Sequence, residues 1–355
     1  MPYSFEVLGR RREGVTYTAD KAMSDLVSTH RVQRRRFEPS ESFRPAAYLK
    51  SPHAQTLFAA LRRPVKAPPL LRERWDTPDG DFVDIDFLPA PAQAPHLLIL
   101  HGLEGSAKSS YVAELLRGAQ QRGWGAAALN FRGCNGEQNR LARFYHSGDT
   151  GDALFVASRL RSRIRGPLFG VGFSLGGNVL LVLLARAGED APLDAAAAIS
   201  VPYDLAACAR ALDSGTGLYR LYRLWFLRSL RRKALRKLQE HPGIFDARRV
   251  GATRGIEAFD AAVTAPLHGF RDAADYYAQS SSGPLLGQIR RPTLLINAKD
   301  DPLAVSPLPD GVFDNPFLAP VHPDHGGHVG FVAGSILHPQ YWAEGIALEF
   351  LATFG

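Results

Sequence analysis

The stretch LFGVGFSLGGNVLL, Leu168 to Leu181, sets one hydroxyl among glycines where an apolar strand-like run gives way to an apolar helix-like run. Gly172-Phe173-Ser174-Leu175-Gly176 fits G-x-S-x-G, and a strand before it and a helix after it are the context in which that motif becomes a sharp turn presenting its serine. Gly172, Gly176 and Gly177 provide the positions without side chains that such a bend needs. A serine hydroxyl is a weak nucleophile at neutral pH. It needs a base, and the base needs an acid to fix its tautomer and stabilise its cation. Downstream, LLINAKDDPLAV puts Asp300 and Asp301 at the end of a strand-like run, and His322, His325, His328 and His338 follow. Neighbouring side chains of an extended segment point opposite ways, so one aspartate of the pair is expected to face the base. We take Asp301, which precedes Pro302, with Asp300 as the fallback. We take His328, because Gly326-Gly327 before it allows close approach of the imidazole, ahead of His325.

Attack on a carbonyl also requires preorganised N–H donors for the oxyanion. The backbone amide of Leu175, just after the serine, is one candidate. HGLEGS, His101 to Ser106, follows another apolar run and offers the amide of Leu103 as the second. A dinucleotide-binding turn is excluded because Gly170-x-Gly172 would need glycine where Leu175 stands, and a phosphate loop because Ala107 rather than glycine precedes Lys108. Metal ligation by His322, His325 and His328 lacks a helix to align the rings and a fixed acidic partner. An oxyanion loop, a serine, an acid and a histidine in this order point to acyl transfer to water, with no metal or organic cofactor. Transfer to another acceptor and a non-catalytic binding module are the competing readings.

The elements that must position these groups follow the same stretches. Short apolar runs at Leu97 to Leu100, Gly125 to Phe131, Leu168 to Phe173, Ala195 to Val201 and Thr293 to Asn297 alternate with amphipathic runs such as Ser110 to Gln121, Thr150 to Ile164 and Asn178 to Ala187. That alternation predicts an α/β fold, a mostly parallel sheet with helices on both faces, whose working loops sit at the carboxyl ends of the strands. Between Val201 and Thr293 the pattern is mostly helical and too long for a loop, so residues 204–290 are expected to form a helical cap insertion. The core then comprises 43–203 and 291–355, preceded by a flexible basic extension over 1–42 with its Arg10-Arg11-Arg12 and Arg34-Arg35-Arg36 clusters.

With 355 residues, 45% of them hydrophobic, the chain can bury a substantial core. The net charge of +7 is gathered in that extension and in Leu218 to Glu240, and no motif accompanies it that would point to nucleic acid. Two cysteines, Cys134 and Cys208, and no apolar run of spanning or signal length lead us to expect a reducing, cytoplasmic setting. Leu218 to Glu240 is read as a cap helix with an apolar face on the core and a solvated basic face from Arg220 to Lys237. Its apolar side could line an acyl pocket and its basic side meet an anionic membrane surface. Asp204 suits a helix cap better than the catalytic acid. His146, Asp149 and Asp152 are read as organising a loop, His53 and Gln55 as supporting the site, and Cys134 as a buried small side chain.

At these residues the chain resembles the alpha/beta-hydrolase superfamily, and within it the YheT-type branch. The likeness rests on the elbow, on HGLEGS and on PHAQTL, NFRGCNGEQNR, YHSGDTGD, SVPYDL, TAPLHGF and HGGHVGF. It implies a serine hydrolase with Ser174, Asp301 and His328 as its triad, acting on short- to medium-chain or lipid-derived carboxylic esters.

Overall fold

The computed structural model describes residues 37–62, 66–309, 311–335 and 337–355. Helix α1 (Pro52–Arg62) precedes strands β1 (Leu71–Asp76), β2 (Phe82–Leu88) and β3 (His96–Leu100). Then come α2 (Ser110–Gln121), β4 (Gly125–Asn130), α3 (Gly151–Arg163), β5 (Leu168–Phe173), α4 (Leu175–Ala187) and β6 (Ala195–Ile199). The strands pair in the order β1-β2-β4-β3-β5-β6, continued by β7 (Thr293–Ile296) and β8 (Leu318–Val321). β1, β2 and β4 are joined antiparallel, and the pairings from β4 through β8 are parallel. A short antiparallel pair, β9 (Val332–Gly334) and β10 (Pro339–Tyr341), leads into the closing helix α9 (Trp342–Ala352).

β3 shows why a parallel strand reads as an unbroken apolar run. Leu98 and Leu100 pack into the core layer shared with α4, whereas Leu97 and Ile99 enter the opposite layer with α2 and α9, and all four are fully buried. β1 and β2 gave no such signal. β2 reads FVDIDFL, and its Asp84 and Asp86 are buried although charged. The register places Arg74 opposite Asp84 and Arg72 opposite Asp86, each pair closed by two hydrogen bonds of 2.6–2.9 Å. These cross-strand pairs supply what an alternating apolar pattern supplies elsewhere. Arg132, at the end of β4, binds Asp79 at 2.8 Å, Asp81 at 3.0 Å and Asp152 at 2.6 Å, joining the β1–β2 turn to the start of α3. His146 and Asp149 lie in the loop before that helix, where Asp149 pairs with Arg143 at 2.7 Å.

Between β6 and β7 the chain forms α5 (Leu205–Ser214), α6 (Leu218–Glu240), α7 (Ala247–Ala252), a helical run over 256–267 with a π turn, and α8 (Ala273–Ser280). Asp204 accepts Ala207 N–H at 2.9 Å and so caps α5. α6 departs from the expected division into an apolar and a solvated basic face. Lys237 is fully buried and donates to Asn139 O at 2.5 Å, and Lys233 is turned inward as well, whereas Leu221, Leu224 and Trp225 are 50–61% exposed. The expected extension over 1–42 also needs a new boundary. Phe37 packs edge-on against Phe350, Ser40 bonds Glu349, and Trp342 donates to Glu41 O, so residues 37–42 belong with the core. Residues 1–36, with both arginine clusters, lie outside the described residues.

Candidate active site

The bend between β5 and α4 carries Ser174 at φ 51 and ψ −119, a conformation that L residues hold only where packing imposes it. Ser174 N–H donates to Ile199 O of the neighbouring strand at 2.8 Å. The glycines around it answer to contact rather than freedom. A Cβ on Gly176 would lie 2.4 Å from both Leu100 O and His101 O, and one on Gly172 would lie 2.5 Å from Gly176 O. Gly176→Ala is therefore expected to destabilise the protein by about 3 kcal/mol, the upper range for overpacking, as measured by denaturant unfolding.

β7 ends just before Asp300 and Asp301, and both reach the loop ahead of β9. Asp301 takes the imidazole: His328 Nδ1 lies 2.9 and 3.0 Å from its two oxygens, and His328 Nε2 lies 2.9 Å from Ser174 Oγ. The Asp301 carboxylate is buried and also accepts the N–H groups of Leu303 and Ala304 at 2.8 Å each, which fix its plane. Asp300 instead accepts Gly327 N–H at 3.0 Å and meets His325 Nδ1 at 3.2 Å, so the two acids divide between the ring and its loop. That loop is held at several points. Gly327 has φ 59 and could carry no side chain, since a Cβ would stand 2.4 Å from Pro52 O. His328 N–H donates to Thr56 Oγ1 and Val329 N–H to Ser200 Oγ, both at 2.9 Å. Gln55 ties the segment to α1 by accepting Val332 N–H at 2.7 Å and donating to Val332 O at 3.0 Å.

The loop after β3 presents four successive amides. Gly102 N–H donates to Tyr111 OH, Glu104 N–H to Tyr145 OH and Gly105 N–H back to Gly102 O. Among the described residues, the N–H groups of Leu103 and Leu175 donate no hydrogen bond. The Gly102 carbonyl shares a trans peptide plane with Leu103 N–H, and two donors hold it: Gly105 N–H at 3.0 Å and His101 Nδ1 at 2.8 Å. The Leu103 N–H must then point the opposite way. His101 Nε2 accepts Phe131 N–H at 3.2 Å, which leaves the proton on Nδ1 and the ring neutral.

Burial holds His101 and His146 down to about 4 and His268 to about 3, whereas burial lifts Asp260 to about 6. Each depressed histidine binds more protons unfolded than folded below about pH 6.5, so it favours unfolding as the pH falls; Asp260 has the opposite sign between its ordinary value and 6. Burial also depresses His322 and raises Asp152, and four histidines against two acids leave a net loss of stability on acidification from pH 6.5 to 4. Denaturant melts across that window should show a slope of up to about 3 kcal/mol per pH unit.

Ser174, Leu175, Leu103 and His328 open onto a cavity of about 150 Å³ whose other walls include Phe226 and Leu230 of α6, Phe259 and Tyr276. Its lining is chiefly apolar. A family model described as the alpha/beta hydrolase fold matches residues 95–335. The chain is 42% identical to "Putative esterase YheT" of Escherichia coli (strain K12), over 90% of this chain and 95% of that one. The chain belongs to the alpha/beta-hydrolase family. It is an enzyme of the YheT type within it. "Phospholipase ABHD3" of Mus musculus is 30% identical over 83% of this hydrolase and 74% of its own length. The solved esterase Pf2001 of Pyrococcus furiosus shares the fold with a TM-score of 0.52 and 14% identity, covering 89% of this chain and 99% of that one.

Several supporting residues of this alpha/beta-hydrolase escaped assignment from sequence. Thr56, Ser200 and Tyr145 sit in the quoted strings PHAQTL, SVPYDL and YHSGDTGD, but their side chains bond backbone amides, which leaves no mark of residue type or spacing. His53, expected with Gln55 to support the site from behind the reacting groups, meets Tyr222 OH of α6 at 3.1 Å. Cys134 is partly buried, burial raises its thiol, and Lys233 Nζ lies 3.2 Å from its sulfur.

Proposed function

We propose that this hydrolase cleaves carboxylic esters through an acyl-enzyme on Ser174. His328 takes the hydroxyl proton as Ser174 attacks the carbonyl carbon, then delivers it to the leaving alcohol; Asp301 orients His328 and stabilises its cation. The Leu103 and Leu175 amides receive the oxyanion, and water, activated by the same histidine, releases the acid. The observation that carries the reading is the unbroken contact from Asp301 through His328 to Ser174, each step at 2.9–3.0 Å, opening onto an apolar cavity.

That cavity suits an acyl chain, short to medium or lipid-derived, and relatives named phospholipase and "Monoacylglycerol lipase" support an acyl ester of lipid type. A series of p-nitrophenyl esters of increasing acyl length, with Ser174→Ala beside the wild type, tests the reaction and the chain length together. Equal turnover by both proteins would reject it.

The outer side of α6 favours peripheral contact with an anionic membrane surface. Leu221, Leu224 and Trp225 are exposed beside exposed Arg220, Arg228 and Arg232, an apolar and cationic combination that anionic interfaces attract at about 1 kcal/mol per basic residue. Co-sedimentation with vesicles containing anionic phospholipid is expected for the wild type, and reversing those three arginines to glutamate should weaken it at least about tenfold. Among the described residues no helix is long and apolar enough to cross a membrane.

A further inference from the structure

The loop after β3 holds a charged group next to the proposed oxyanion donor. Glu104 keeps its backbone at φ 57, in the left-handed region that a glutamate occupies only under constraint. Its side chain is 5% exposed, yet both oxygens are engaged. Oε1 accepts from Lys233 Nζ at 2.6 Å and Tyr145 OH at 3.0 Å, and Oε2 accepts from Ser229 Oγ at 2.5 Å. Burial pushes the carboxyl up, but Lys233 and these hydrogen bonds outweigh it and hold Glu104 below the usual carboxylate range. Ser229 and Lys233 are four residues apart on α6 and therefore share a face. Glu104 thus joins the sheet core to a helix of the insertion.

A buried ion pair adds little net stability compared with apolar side chains of the same volume, so gluing α6 in place does not account for this one. Its position does. The Leu103 amide lies between two fixed points: His101 holds the Gly102 carbonyl on one side, and on the other Glu104 is held by its side chain and by its own N–H on Tyr145 OH at 2.8 Å. Resting on the acyl-enzyme reading above, we infer that Glu104 is a positioning residue that makes the oxyanion donor at Leu103 depend on the seating of α6 through Lys233 and Ser229. With α6 displaced, Glu104 loses Lys233 and Ser229 and keeps Tyr145 alone, and the loop can leave its strained conformation. The same helix presents Phe226 and Leu230 to the cavity, so what fills the cavity and what aims the donor share one element.

The test uses the double variant Glu104→Leu/Lys233→Met, which removes both charges together and strands neither. Active sites are counted by fluorophosphonate labelling, kcat and KM are measured on a p-nitrophenyl ester, and affinity is measured for a trifluoromethyl ketone, which forms a tetrahedral adduct with the serine. The expected result is a folded protein whose kcat falls about 30-fold, less than the loss from deleting a donor outright, with KM within about threefold. Ketone affinity should fall by the same factor as kcat/KM. Ser229→Ala keeps the ion pair and should show about a threefold loss of the same kind, which serves if the double variant does not fold. Wild-type kcat and ketone affinity in either variant would overturn the inference. So would a loss confined to KM. A wild type that turns over no ester and takes no label would remove the acyl-enzyme reading and this one with it; an active wild type with a fully active double variant removes this one alone.

Discussion

Replacing Ser174 with alanine is expected to lower kcat by about five orders of magnitude while the protein keeps its fold and its KM changes little. Among the described residues the serine Oγ makes one side-chain hydrogen bond, 2.9 Å to His328 Nε2, and its removal leaves the strained bend intact, because the bend is held by Ser174 N–H on Ile199 O and by glycines with no room for a Cβ. His328→Ala should cost about as much, since base and nucleophile act as one unit and their losses do not add. Steady-state kinetics on one ester, with stability followed in parallel, checks both. A Ser174→Ala protein within tenfold of the wild type would mean that another group attacks.

Asp301→Asn is expected to lower kcat about 10⁴-fold, because an amide can present an N–H to His328 Nδ1 and stabilise the wrong tautomer. Asp300→Asn should cost about tenfold at most. Asp300 reaches the site through Gly327 N–H and His325 and touches neither the ring of His328 nor Ser174, so its loss loosens a loop that Thr56, Ser200 and Gln55 still hold. The ratio between these variants separates the adjacent acids more sharply than either variant alone. Equal losses would mean that the carboxylates share the task.

The adjacent acids also show how far the sequence could be read. Alternation along an extended segment singles out one aspartate for the histidine, and the structure does bring Asp301 and not Asp300 to His328. It does not reveal that Asp300 turns to the same loop one residue earlier, since the loop curls through left-handed conformations at Gly327, Val329 and Phe331 that no pattern of residue types announces. β3, β5 and β6 were legible because both faces of each strand are buried and the run is apolar throughout. β2 was hidden because its interior positions hold the carboxylates Asp84 and Asp86, and β1 because it carries their arginine partners on a largely exposed edge. The same holds for Lys233 and Lys237, which read as solvated charge on a basic helix and are drawn inward by Glu104 and by the Asn139 carbonyl, about a hundred residues or more away in sequence. Periodicity reports the hydrophobic share of burial. Paired charge is invisible to it until both partners are known.

The central claim is that Ser174 is the atom that attacks. Treating the wild type with a fluorophosphonate, digesting it and weighing the peptides tests this most directly. One phosphonyl group, displacing fluoride, is expected on the peptide containing Ser174, with labelling reduced to background in His328→Ala. An adduct on any other residue, or an active protein left unmodified, would contradict the account.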